Sequence, residues 1–179
     1  VRTYQAVISK EARAQSLAPG GAADARATLE AAIKSAPAGK ADQAYMELIQ
    51  VEAREKRYDA ALAAAERLRA ATTQKVAADK LIGDLNIEAN RPAQALEAYR
   101  RVQSKVNNGQ VAAMIAAAQT KAGQGAAALA GLQAFRSANP KDLMGGVALA
   151  DAYIQQKNWR AAIDAYLSMK NTAAAGVPA

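Results

Sequence analysis

The sequence predicts an all-α protein, an α-solenoid of about five antiparallel helical hairpins spanning 1–179 as a single solenoid fragment. Composition is the first reason. Fifty of the 179 residues are alanine and only 4% are aromatic. Alanine is the best helix former, whereas sheets draw on β-branched and aromatic residues. A repeat is the second reason. Ala61-Leu62, Ala95-Leu96, Ala128-Leu129 and Ala162-Ile163 are each followed, three residues on, by Ala65, Tyr99, Leu132 and Tyr166, and the leading alanines are 34, 33 and 34 residues apart. Thirteen residues before each alanine begins a pair of one large and one smaller residue: Leu48-Ile49, Ile82-Gly83, Ile115-Ala116 and Leu149-Ala150.

Each repeat reads as two helices, A and B. Helix A is expected over Ala41 to Glu55, Gln74 to Ala89, Gly109 to Ala122 and Asp142 to Gln156. Helix B is expected over Tyr58 to Ala71, Arg91 to Lys105, Gly125 to Ser137 and Trp159 to Asn171. The breaks carry start and stop chemistry. Asn90 is expected to cap the helix that Pro92 enters in its first turn, where a missing N–H costs nothing. Asn158 is expected to cap the helix opened by Trp159. Asn107-Asn108-Gly109 and Asn139-Pro140-Lys141-Asp142 are turn signals. Ahead of these, Arg2 to Leu17 and Ala22 to Ser35 read as helices joined by Ala18-Pro19-Gly20-Gly21, a degenerate or capping first unit closed by Pro37. The repeats therefore run over about 1–39, 41–73, 74–107, 109–140 and 142–174, and Thr172 to Ala179 is expected to be a loop. With no initiator methionine or signal pattern, the chain reads as an excised fragment, and any targeting signal is expected outside it.

One hairpin cannot bury its apolar face alone, so stacked hairpins share a core. Leu48, Tyr58, Ile82, Tyr99, Leu132, Leu149, Tyr153, Trp159 and Tyr166 are the expected core residues. Small residues let the helices approach.

The pattern resembles the tetratricopeptide repeat (TPR). The match is fullest in the last copy, with Leu149, Ala150 and Tyr153 on helix A and Trp159, Ala162 and Tyr166 on helix B. It departs from the family at Ile49, which replaces a small residue, at Gly125, which stands where an aromatic belongs, and in most terminal prolines. The resemblance covers about Ala41 to Asn171. It implies hairpins stacked in a right-handed superhelix and a concave groove lined by helix A. Carried over, the groove positions are Gln43, Met46, Gln50 and Arg54; Lys80, Asp84, Ile87 and Glu88; Gln110, Ala113, Ala117 and Lys121; and Met144, Val147, Asp151 and Gln155. This mixed surface suits an extended peptide or a helix, and methionine adapts to irregular partners. The alanine-rich repeats, with Leu29 to Lys34 and Asp151 to Trp159, also look like bacterial TPR lipoproteins of PEP-CTERM/exosortase exopolysaccharide systems. That likeness implies a cell-envelope or periplasmic location with a lipid anchor upstream of Val1. The composition is equally compatible with the cytoplasm.

Catalysis finds little to work with. The chain has no cysteine and no histidine, hence no thiolate or histidine metal site, no cysteine nucleophile and no Ser-His-Asp triad. Glu52 and Glu55, beside Arg54, Lys56 and Arg57, read as a solvated, self-compensating surface. The glycine clusters Gly20-Gly21, Gly123-Gln124-Gly125 and Gly145-Gly146 form no phosphate-binding motif. No cofactor and no metal are expected.

The expected function is therefore a non-catalytic scaffold for a protein or peptide partner, in an envelope assembly for exopolysaccharide export or protein sorting. Membrane contact is expected only through an anchor outside the chain. The net charge of +7 raises an alternative. Six basic residues and no acidic one lie between Ala98 and Lys141: Arg100, Arg101, Lys105, Lys121, Arg136 and Lys141. A nucleic-acid-binding helical repeat could use them, but they fall mostly on helix B rather than along one groove. No aromatic set is interleaved for base stacking, so nucleic acid is the disfavoured partner. A further alternative is the helical superstructure of a larger cell-wall enzyme.

Overall fold

The computed structural model describes residues 11–12, 14–15, 18, 21–37 and 39–174, the last four by their backbone alone. Among them every regular element is a helix: α1 Ala22–Ser35, α2 Asp42–Arg54, α3 Tyr58–Ala71, α4 Lys75–Glu88, α5 Pro92–Gln103, α6 Gly109–Lys121, α7 Gly125–Ala138, α8 Leu143–Gln155 and α9 Trp159–Ala174. The expected boundaries hold within two residues except at the end of α9. There Thr172 to Ala174 continue the helix where a loop was expected. Most of the expected helix Arg2 to Leu17, and residues 175–179, lie outside the described residues.

The chain divides into two compact units, Val1–Arg91 and Pro92–Ala179. The boundary falls inside the expected repeat 74–107, so α4 and α5 belong to different units. In the first unit α1 packs on α2, α2 on α3 and α3 on α4. In the second α5 packs on α6 and α6 on α7, α8 sits on both α6 and α7, and α9 packs on α8.

The repeat alanines mark the core, as their periodicity requires. Ala61, Ala95, Ala128 and Ala162 are all buried, and so are Leu48, Ile82, Leu132 and Leu149. Removing one such leucine from water is worth about 1.5–3 kcal/mol. Two expected core residues are not buried: Trp159 is 59% exposed and Tyr166 42% exposed. The cause is positional. Tyr166 occupies the repeat position of Leu132, which α8 helps to cover, whereas no described helix follows α9. Tyr58 and Tyr153 are half-buried.

The turn from helix A to helix B is the same in four hairpins. Lys56, Asn90, Gly123 and Lys157 take φ of 57°, 57°, 76° and 59°. In each the residue's own N–H reaches back three residues and the next N–H reaches back five, as in Arg91 N–H to Asn86 O at 2.7 Å and Gln124 N–H to Gln119 O at 2.8 Å. This is the Schellman closure, which satisfies carbonyls left over at a helix end. Asn90 therefore closes α4 rather than capping α5, contrary to expectation. Asparagine suits both roles, because its side chain caps helices and its backbone tolerates positive φ. Pro92 does open α5.

Asn158 caps as expected, and the two turn signals supply further caps in Asn108 and Asp142. Asn108 Oδ1 accepts from Val111 N–H at 3.0 Å, and Asn158 Oδ1 from Ala161 N–H at 3.3 Å. Asp142 serves two helices. Its Oδ1 accepts from Gly145 N–H at 2.9 Å in α8, and its Oδ2 from Gly109 N–H at 2.8 Å in α6. The Gly145 N–H most of all, with Gly109 N–H after it, holds the Asp142 carboxyl below the usual carboxylate value. A lowered folded value means that the carboxylate's contribution is complete above the unfolded value of about 3.9 and is lost as pH falls through the folded one. We expect the stability difference between the parent and Asp142→Asn, read from urea midpoints, to be larger at pH 7 than at about pH 3. An unchanged difference would show that the charge is not what holds the two helix ends.

Glu52 corrects a further expectation. It is 4% exposed, not solvated. Arg57 Nε donates to its Oε2 at 2.6 Å, and Arg26 of α1 lies 3.1 Å from its Oε1. A buried carboxylate persists only when paired in this way. Arg67 of α3 also reaches α1, through a two-bonded contact with Glu30 at 2.7 and 2.9 Å that keeps the Glu30 carboxyl below its ordinary value.

Candidate functional site

Helix A buries one face against its neighbours and leaves another to solvent. The exposed face carries the expected groove positions, and each unit presents its own set. In the first unit Gln43, Met46, Gln50 and Arg54 are exposed along α2. On α4, Lys80 and Asp84 are half-exposed and pair with each other, Nζ to Oδ2 at 2.6 Å, so part of that surface is engaged within the chain. Ile87 is half-buried and Glu88 exposed.

In the second unit Gln110, Ala117 and Lys121 are exposed on α6, and Ala113 is half-buried. On α8 Met144 is 57% exposed and Val147 37%. Asp151 and Gln155 are exposed too, with Asp151 Oδ1 accepting from the Tyr166 hydroxyl at 3.3 Å. Leu143 and Ile154 add further exposed apolar surface to α8, and Ile163 and Leu167 to α9. Sequence reasoning placed none of these four in a binding surface. Their spacing was the available signal, but it is the same for a covered face.

Gln43 and Met46 border a pocket of about 270 Å³ between α2, the end of α3 and α4. Its walls are mostly apolar. On its polar side Thr72 donates its hydroxyl to Asp42 Oδ2 at 2.7 Å, while Gln74 N–H donates to Thr72 Oγ1 at 3.1 Å.

The cations of 98–141 do not form one stripe. Arg100 and Arg101 lie in the last turn of α5 and Arg136 in that of α7. Lys121 closes α6, which a three-residue turn sets antiparallel to α7. Arg136 donates to the backbone carbonyls of Pro140 and Asp142. Among the described residues no group of three or more acidic side chains could hold a metal, and no helix is long and apolar enough to cross a membrane.

No protein-family model and no curated protein matches the sequence. Solved structures do. The TPR-like repeats of a Podospora anserina chain described as a kinesin light chain superpose with a TM-score of 0.65 at 15% identity, over 97% of this chain and 96% of that one. MamA from Desulfovibrio magneticus RS-1 gives 0.60 at 12% identity, over 96% and 98%. YrrB, a TPR protein with an unusual peptide-binding site, gives 0.56 at 16%, over 86% and 78%. The fold is a TPR-like α-solenoid. Identity this low carries the fold alone. In that TPR-like frame the four helices A are α2, α4, α6 and α8.

Proposed function

We propose that the protein is a non-catalytic interaction scaffold that binds a peptide or protein segment along the exposed faces of its A helices. One observation carries the reading. On every helix A the positions left over from the core include exposed residues of mixed apolar and polar character, Met46 and Met144 among them. Methionine repacks around irregular partners, and a mixed face recognises side chains as well as backbone. YrrB, similar in fold, is a peptide-binding protein by description. The finer placement, an envelope assembly for exopolysaccharide export or protein sorting, follows from the sequence resemblance and belongs to the same proposal.

The test is selection from a displayed peptide library, followed by titration at rising salt. Selected peptides should lose at least about tenfold in affinity on Met46→Glu or Met144→Glu. Their affinity should change little with salt, since screened surface charges contribute little. Labelled single-stranded RNA is the counter-probe. Phosphate binding would fall by about 0.7 log units per contact for each decade of salt. Sub-micromolar RNA binding at about 0.15 M salt, lost on Arg100→Glu with Arg101→Glu, would overturn the scaffold reading in favour of a nucleic-acid-binding repeat.

A further inference from the structure

The two units contain the same junction, and it is filled in one and open in the other. Advancing by the repeat spacing carries Asp42 to Gly109, Leu68 to Phe135 and Ala78 to Gly145. In the second unit the glycines bring α6 and α8 together: a Cβ on Gly145 would stand 3.6 Å from Gly109 Cα. Phe135 fills the space that remains. It is buried, and a Cβ on Gly145 would lie 2.5 Å from its Cε1. In the first unit Asp42 and Ala78 replace the glycines, and α4 packs on α3 while barely meeting α2. Leu68 is shorter than Phe135. The outcome is the pocket of about 270 Å³ walled by Met46, Leu68, Ala77, Ala78 and Leu81.

Among the described residues of the unit, none fills that space. Tyr45 takes the repeat position of Ala112 and is buried, yet it does not border the pocket; its ring lies under the Arg67 guanidinium, 5.2 Å away. The volume is smaller than the roughly 300–1,000 Å³ typical of sites for whole small molecules.

We propose that this pocket receives one aromatic side chain of the partner peptide, its ring seated in the first unit as Phe135 is seated in the second. The inference rests on the scaffold reading and names its anchoring point. Two features favour a ring over an aliphatic chain: the Phe135 precedent, and Met46, whose sulfur makes favourable contacts with ring edges. A rigid ring also loses little conformational freedom for the area it buries.

The experiment titrates N-acetyl-phenylalanine amide into the isotopically labelled whole chain and follows backbone amide shifts, with N-acetyl-alanine amide as control. We expect saturable shifts at Met46, Thr72 and Ala78, with a dissociation constant of about 1 mM for so small a ligand. The alanine amide should produce none. Leu68→Phe supplies the ring from within, so it should abolish the shifts and melt no lower than the parent. Ala77→Leu, at an exposed position bordering the pocket, should block it as well and serves if Leu68→Phe misfolds. Shifts that persist in either folded variant, or that are absent from the parent, overturn the proposal. A library-selected peptide that binds the parent and both blocked variants equally overturns the pocket while leaving the scaffold reading intact. A peptide lost from the blocked variants supports both.

Discussion

Leu149→Ala should lower the stability of the second unit by about 2–4 kcal/mol. Leu149 is 8% exposed and belongs to one cluster with Ala112, Ala116, Ala128, Leu132 and Phe135, flanked by Leu129 and Tyr153. Its neighbours come from three helices that brace one another, since α8 sits on both α6 and α7. Many of them are alanines, which have no longer rotamer with which to reach into a void. The cavity should therefore stay open, and truncation then costs the lost transfer energy plus the cavity. Urea unfolding checks this, with the midpoint moving at nearly constant slope. Leu167→Ala is the internal control. Leu167 is 51% exposed in α9, and the same truncation there should cost under about 1 kcal/mol. Equal losses at the two sites would mean that α8 is out of register.

Gly109→Ala should be as damaging, at about 2–4 kcal/mol, for a different reason. A Cβ at Gly109 would stand 2.2 Å from both Asp142 Oδ1 and Gly145 N, and 2.8 Å from Met144 C. Two of those atoms are backbone in the first turn of α8, so relief requires moving the helix. Moving it also pulls Asp142 away from the N–H groups of Gly109 and Gly145. The comparison is Gly146→Ala. There the new methyl would meet Met169 Sδ at 2.3 Å and Cγ at 2.7 Å. Those atoms belong to a flexible side chain, and a rotamer change relieves them at about 1 kcal/mol. Urea midpoints for the two alanine variants should thus separate widely. A Gly109→Ala protein as stable as Gly146→Ala would mean that α6 and α8 do not meet as closely as described.

The helices were legible because the repeat is written in small residues that recur at one buried position. Ala61, Ala95, Ala128 and Ala162 are buried at one repeat position, so one pattern located the helices within a few residues. Trp159 and Tyr166 follow the same motif yet are exposed, and the repeat equivalent of Tyr166, Leu132, is covered in part by α8 whereas no described helix follows α9. Position in a repeat predicts a face, and only the next layer decides whether that face is dry. Glu52 misled through its sequence neighbours. Arg57 does pair with it, but Arg26, its other partner, lies a hairpin away, and charge spacing along one helix says nothing of that. The exposed helix A residues of the candidate surface were legible as positions, since whatever the core does not use must face outward. The pocket was not. It arises from three coordinated differences between two junctions, at Asp42 and Gly109, Leu68 and Phe135, and Ala78 and Gly145, each unremarkable singly.

The positive-φ turn within each hairpin has a bearing on how such a chain can change in length. The segments between helix A and helix B are three residues in all four hairpins: 55–57, 89–91, 122–124 and 156–158. The segments joining successive hairpins vary, at three residues for 72–74, five for 104–108 and four for 139–142. A residue inserted inside a hairpin would displace the left-handed position and unmake both closing bonds, whereas one added between hairpins leaves that position in place. Insertions and deletions should therefore be tolerated best in the longest joining segment, ahead of the Asn108 cap, and least in the hairpin turns and at Asp142, which ties two helix ends; the hairpin is the unit in which the molecule can be lengthened, shortened or shuffled.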